Sequence, residues 1–320
     1  MELNNIKGIT FAPFAHKGVL SKKDAFKSLD AIKERTAANF IMLVPCGLQE
    51  TAQSDIIRYD TEATMSDTEL IAIIRYAKKL GFNVGLKPTI NCKNGVYRAY
   101  VSFFDNEVPN EPCWRNWFNS YTEFQMHYAE IAKAENVDMF VCGSEMVMAE
   151  SREDDWRRLI KQLRRVYSGI LTYNTDKYQE DHVTWWDALD SISSSGYYPI
   201  NALEENFQRI AEVAKRFDRP FLFMESGCPS RAGSEYIPNN WSYGGPQNLK
   251  AQADWYQAFA DALLRHPWVR GCVWWDWSAT RLYPLEKAAT DDGYCVYGKP
   301  TEAVLKRYTE AVRAREETQP

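Results

Sequence analysis

Two glutamates stand directly after short apolar runs: Glu145 in Phe140-Val141-Cys142-Gly143-Ser144-Glu145, and Glu225 in Phe221-Leu222-Phe223-Met224-Glu225-Ser226-Gly227. A carboxylate placed there emerges at the C-terminal end of a buried strand, where α/β barrels collect their catalytic groups. Two such groups suit cleavage of an acetal. One protonates the departing oxygen and the other attacks the anomeric carbon, provided the pair lies about 5–5.5 Å apart. A single glutamate at a strand end is as readily a helix cap or an arginine partner. Two of them, on the fourth and seventh of eight runs, point to glycoside hydrolysis.

Other polar residues sit at similar places. Lys87 follows the apolar Val84–Leu86 and is costly inside a barrel unless it reaches the mouth and finds a carboxylate or a substrate hydroxyl. Asn174 ends the fifth run and His16 lies beyond the first, both able to donate to sugar hydroxyls. The stretch Asn239-Asn240-Trp241 mixes amides with an aromatic ring, as a leaving-group subsite or an ordinary turn would. From it, Asn240 and Trp241 are the candidate contacts.

Competing chemistries lack their residues. The chain has no GxSxG, HExxH, Walker loop or GxGxxG, and its four histidines (16, 127, 182, 266) show no metal-ligand spacing. No cofactor and no metal are expected. Net charge is −5 and the basic residues are scattered, which argues against nucleic acid as a partner. No stretch approaches the roughly 20 apolar residues of a membrane span. Met1–Lys7 has neither the apolar core nor the cleavage site of a secretion signal. A cytoplasmic location is expected, or a secreted one if a leader has been removed. The seven cysteines are an odd number without CxxC spacing; Cys46, Cys142 and Cys272 sit in apolar runs and read as small buried hydrophobes, and a reducing compartment is expected.

The elements that must position these groups are legible as a pattern. Eight short apolar runs (Gly8–Pro13, Phe40–Pro45, Val84–Pro88, Met139–Cys142, Ile170–Tyr173, Leu189–Ser193, Phe221–Met224, Gly271–Trp275) alternate with helix-period segments. One helix opens on the capping box Ser66-Asp67-Thr68-Glu69 and stops at Gly81. Others open near Ser21, Ser151, Pro246 and Pro300. Eight strand–helix units predict a closed (β/α)8 barrel occupying residues 1–320 as a single domain. Links from strand to helix are long after runs 2, 3, 7 and 8 (Gly47–Met65, Asn91–Glu111, Gly227–Gly245, Ser278–Lys299), while links from helix to strand are brief. Such a chain enlarges the rim that carries barrel active sites.

Aromatic residues make up 14% of the chain, with 11 Trp, and several stand beside turn residues where a flat ring can stack on a sugar. The set Gly8-Ile9-Thr10-Phe11-Ala12, Leu86-Lys87-Pro88, Cys142-Gly143-Ser144-Glu145, Gly196-Tyr197-Tyr198-Pro199, Met224-Glu225-Ser226-Gly227 and Trp274-Trp275-Asp276-Trp277 resembles glycoside hydrolase family 113, the clan A β-1,4-mannanases. The resemblance spans nearly the whole chain. It implies a retaining endo-β-1,4-mannanase acting on mannan, glucomannan or manno-oligosaccharides, with Glu145 as acid/base and Glu225 as nucleophile. It also implies a tyrosine after the sixth strand that hydrogen-bonds the nucleophile, for which Tyr198 is chosen over Tyr197. Trp275 would be the platform beneath the reacting sugar, with Trp277 on the same strand face and Trp274 on the other. Ser144 departs from the clan, most of whose members place Asn before the acid/base. A β-1,4-galactanase, a β-1,4-glucanase and a non-catalytic carbohydrate-binding barrel remain the alternatives.

Overall fold

The computed structural model describes residues 6–279, 288 and 290–318. Parts of the N-terminal segment, of the Ser278–Lys299 link and of the C-terminal tail thus lie outside the described residues. Eight strands close into a parallel barrel: β1 (Ile6–Phe11), β2 (Phe40–Leu43), β4 (Asn83–Leu86), β6 (Met139–Ser144), β7 (Ile170–Thr175), β8 (Ser191–Ser195), β9 (Phe221–Ser226) and β10 (Val269–Trp277). Each overlaps one of the eight apolar runs, with ends offset by up to two residues. The expected (β/α)8 fold is the one observed.

Around the barrel run α1 (Lys23–Thr36), α2 (Asp67–Lys79), α3 (Trp114–Ala134), α4 (Glu153–Val166), α5 (Leu203–Phe217), α6 (Leu249–Arg265) and α7 (Thr301–Thr318). The capping box of α2 is formed, with Ser66 and Glu69 each accepting from the other's backbone N–H. Helix α6 starts later than Pro246 suggests, because Asn248 is its N-cap and accepts from Ala251 N at 3.0 Å. No described helix is long and apolar enough to cross a membrane.

Period-two alternation sorts strand residues between two hydrophobic layers. Phe40 and Met42, Met139 and Val141, and Leu222 and Met224 fill the barrel interior. Their neighbours Ile41, Leu43, Phe140, Cys142, Phe221 and Phe223 face the helices. Gly8 and Gly85 make room for Phe40, since a Cβ on either would come within 3.1 Å of its ring. All seven cysteines are buried free thiols.

Two further strands lie inside the expected loops. β3 (Cys46–Gln49) and β5 (Thr89–Cys92) pair in parallel as a separate two-stranded sheet. Each follows a barrel strand after a proline, Pro45 or Pro88, whose missing N–H interrupts the ladder. This small sheet stands on the enlarged rim and leads into a single 3-10 turn, Arg98–Tyr100.

Candidate active site

Both glutamates reach the barrel mouth through irregularities in their strands. Between β6 and β7 the register passes from Val141↔Thr172 to Ser144↔Asn174, one residue more on β6. The extra residue is accommodated at Gly143, where a Cβ would lie within 3.0 Å of Tyr173, Trp156 and Tyr121. Past this bulge Glu145 adopts φ 56°, and its N–H donates to Asn174 O at 2.7 Å. On β9 the register jumps from Ser194↔Phe223 to Ser195↔Glu225, again one residue more. With Leu222 and Met224 inside, strict alternation would turn Glu225 outward; the bulge returns it to the mouth.

The carboxylates are 5% and 3% exposed and line one cavity of about 890 Å³. Each has a cation. Glu145 Oε2 accepts from Arg98 Nη2 at 2.8 Å and Oε1 from Ser195 Oγ at 2.6 Å. Glu225 Oε1 is paired with the Lys87 ammonium, and Oε2 accepts from the Tyr197 hydroxyl at 2.9 Å. Lys87 is itself fully buried, 5.4 Å from the Trp275 ring centroid.

Burial disfavours charge on both glutamates, but the two respond in opposite directions. At Glu145 burial is outweighed by the Arg98 charge and by donors on Ser195 and Tyr97, which hold the carboxyl below its ordinary range. At Glu225 burial and the Glu145 charge prevail over Lys87 and Arg98, and the carboxyl is raised. The pair shares one field and titrates as a unit.

Trp275 and Trp241 also line this cavity, with Phe14, Tyr97, Asp176, Lys177 and Asn239. The Trp275 ring packs 5.9 Å from Phe14 and meets Trp241 edge-on at 6.0 Å. Several expectations need correction. Tyr198 faces the helices and hydrogen-bonds Glu180, which is also paired with Arg209 at 2.8 Å; Tyr197 is the tyrosine on Glu225. Adjacent residues point to opposite sides of the wall, and the motif Gly-Tyr-Tyr-Pro does not say which turns in.

Asn174 is buried and donates to Ser195 Oγ at 3.0 Å, so it reaches Glu145 through Ser195 and does not line the cavity. His16 is exposed outside the cavity lining. Asn240 is exposed and accepts from Ser242 N at 3.1 Å, leaving Asn239 as the amide of that stretch that lines the cavity. Trp277 does not share a face with Trp275. A bulge between Trp274 and Trp277, paired with Ile9 and Phe11, sends its indole N–H to Ser28 Oγ of α1. Ser144 is buried with no hydrogen-bond partner for its hydroxyl among the described residues.

Arg98, Tyr97 and Asp176 are site residues that the sequence reading missed. Asp176 could have been suspected, since it follows the fifth strand directly. Burial and the neighbouring Glu145 charge push its carboxyl up to about 6. Among the described residues no group of His, Cys, Asp and Glu could hold a metal ion.

The sequence profile of Glycoside Hydrolase Family 113 matches residues 9–299. A solved structure described as a complex of a GH113 β-1,4-mannanase is 48% identical, with 96% of this chain and 99% of that one covered at a TM-score of 0.95. The GH113 β-mannanase AaManA from Alicyclobacillus acidocaldarius, in complex with ManMIm, is 38% identical, with 97% and 99% covered at a TM-score of 0.93. A β-D-glucuronidase from Dictyoglomus thermophilum, 15% identical with a TM-score of 0.65, shares the fold over 96% of this chain and 50% of its own. A search of curated proteins finds no match.

Proposed function

Since the chain belongs to glycoside hydrolase family 113, we propose that it is a retaining endo-β-1,4-mannanase acting on mannan, glucomannan and manno-oligosaccharides. The observation that carries this reading is the pair Glu145 and Glu225 on one cavity, each held at both carboxyl oxygens.

In the first step Glu225 attacks the anomeric carbon while the bond to the leaving sugar breaks and its oxygen takes the proton of Glu145. Lys87 and Tyr197 donate to Glu225 and aim it. The form that reacts has the proton on Glu145 and Glu225 ionised. In the second step Glu145 accepts a proton from water, which attacks the same carbon and releases Glu225. Trp275, Trp241 and Phe14 supply aromatic walls for the apolar faces of sugar rings.

The test is sugar release from mannan, glucomannan, galactan and cellulose assayed side by side, with product length and anomeric form followed from the first turnover. Early β-anomeric oligosaccharides from mannan are expected. First-formed α product, or preference for galactan or cellulose, would reject the reading.

A further inference from the structure

We propose that Arg98 is the positioning residue of the acid/base, fixing Glu145 Oε2 as an acceptor so that Oε1 alone carries the proton that is transferred. This rests on the reading of Glu145 as the acid/base.

The arginine is held at three points. Nε donates to Ser144 O at 3.1 Å, Nη1 to Asn91 Oδ1 at 3.0 Å and Nη2 to Glu145 Oε2 at 2.8 Å. It therefore grips both the backbone before Glu145 and its side chain. Arg98 is 8% exposed, and its ring neighbours Phe14 and Tyr97 leave it little room to swing. A guanidinium has only donors and does not lose its proton. Oε2 opposite a fixed N–H is thus confined to accepting.

Oε1 faces a different partner. Ser195 Oγ can donate or accept, and Asn174 Nδ2 supplies it with a donor at 3.0 Å. Oε1 can carry a proton while Ser195 turns its own hydroxyl aside. Leaving-group protonation and water activation then use the same oxygen: Oε1–H goes to the glycosidic oxygen as the C–O bond breaks, and Oε1 recovers a proton from the attacking water. The two-stranded sheet β3–β5 carries Asn91 and leads into Arg98, which gives this rim element a part in the chemistry. Lys87, Glu225, Tyr97, Asp176 and Cys46 are the other titratable groups acting on Glu145 or on its partners.

Arg98→Met and Arg98→Lys test this on mannan and on aryl mannosides with good and poor leaving groups. Protonation by a positioned acid contributes on the order of 10²-fold or more. Arg98→Met should lose about that factor in kcat/KM with poor leaving groups and less than about 10-fold with good ones. Its alkaline limb should move up, because a cation has left the carboxyl pair. Arg98→Lys should return the limb toward its original pH and leave the poor leaving groups slow. Equal losses on all substrates with an unmoved limb would overturn the proposal and leave Arg98 a structural residue. Should Arg98→Met fail to fold, 13C titration of glutamate carboxyls in the unmodified enzyme decides, with Glu145→Gln as assignment control. A Glu145 carboxyl at or above the ordinary carboxylate range would count against the proposal. Failure of the unmodified enzyme to cleave mannan would instead reject the mannanase reading.

Discussion

The Tyr197 hydroxyl donates to Glu225 Oε2 at 2.9 Å, so the nucleophile is oriented from β8 and, through Lys87, from β4 as well. A hydrogen bond to a charged group is worth about 1.5–3 kcal/mol. Tyr197→Phe should lower kcat/KM by roughly 10- to 100-fold. The phenol favours the ionised carboxyl, so its loss raises the Glu225 pKa, which 13C titration of that carboxyl reads as an upward shift. Tyr198→Phe serves as the contrast. It should leave kcat/KM within a few-fold and lower the melting temperature, because Glu180 loses a buried partner. The reverse outcome for the two variants would undo the assignment.

The two glutamates should fail differently. Glu145→Ala should still form the glycosyl-enzyme from an activated aryl mannoside and accumulate it, and azide should speed turnover to the β-mannosyl azide. Glu225→Ala cannot form that intermediate, and azide in the vacated space should give the α-azide. Anomeric assignment of the products by NMR decides between the roles independently of rate. Exchanged anomers would exchange the roles.

The three tryptophans around the mouth should separate stability from activity. Trp241 is 56% exposed, so Trp241→Ala should weaken action on long mannan and barely move the melting temperature. Trp275 belongs both to the cavity wall and to the interior layer; its truncation should damage both. Trp277 packs behind the wall, and Trp277→Ala should cost about 3–5 kcal/mol of stability with the remaining folded enzyme active. Thermal melts and kinetics on one preparation check all three.

Stability should depend on Glu150. Its Oε1 accepts from Tyr173 at 2.8 Å and Thr175 at 2.6 Å, and Oε2 has no partner among the described residues. Burial pushes this carboxyl up to about 8. The unfolded chain releases the proton near the ordinary value of about 4.3, so folding retains a proton between those limits and stability falls as pH rises from the lower to the upper. Glu150→Gln keeps a neutral group there. Its melting temperature should rise relative to the parent from pH 5 to pH 8, by a few degrees at the upper end. A constant difference across that range would remove Glu150 as a source of pH dependence.

How legible these features were depended on whether local pattern or register decided them. Most of the barrel strands are dense apolar runs between turn residues, as buried parallel strands are; β8, Ser-Ile-Ser-Ser-Ser, has Ile192 alone as an apolar residue, and the run assigned to it starts two residues early. Glu145 and Glu225 were found because each ends such a run. The β3 and β5 strands were missed because Cys-Gly-Leu-Gln and Thr-Ile-Asn-Cys are too short and too polar to show a period. Bulges defeated the counting of faces: alternation places Trp277 with Trp275, and one extra residue separates them. Arg98 gave no signal, since it lies in an irregular link and acquires its role only when that link folds over Glu145.

The seven buried thiols carry a practical consequence for how this barrel comes apart. Burial pushes Cys46, Cys142, Cys228 and Cys295 up to about 12, so at neutral pH they are neither ionised nor reachable. They sit on β3, on β6, after β9 and near α7, well apart along the chain. Each is a silent clock that starts when its own segment opens. Mass-resolved alkylation under native conditions would then read whether the barrel unzips strand by strand or releases all seven thiols in one event.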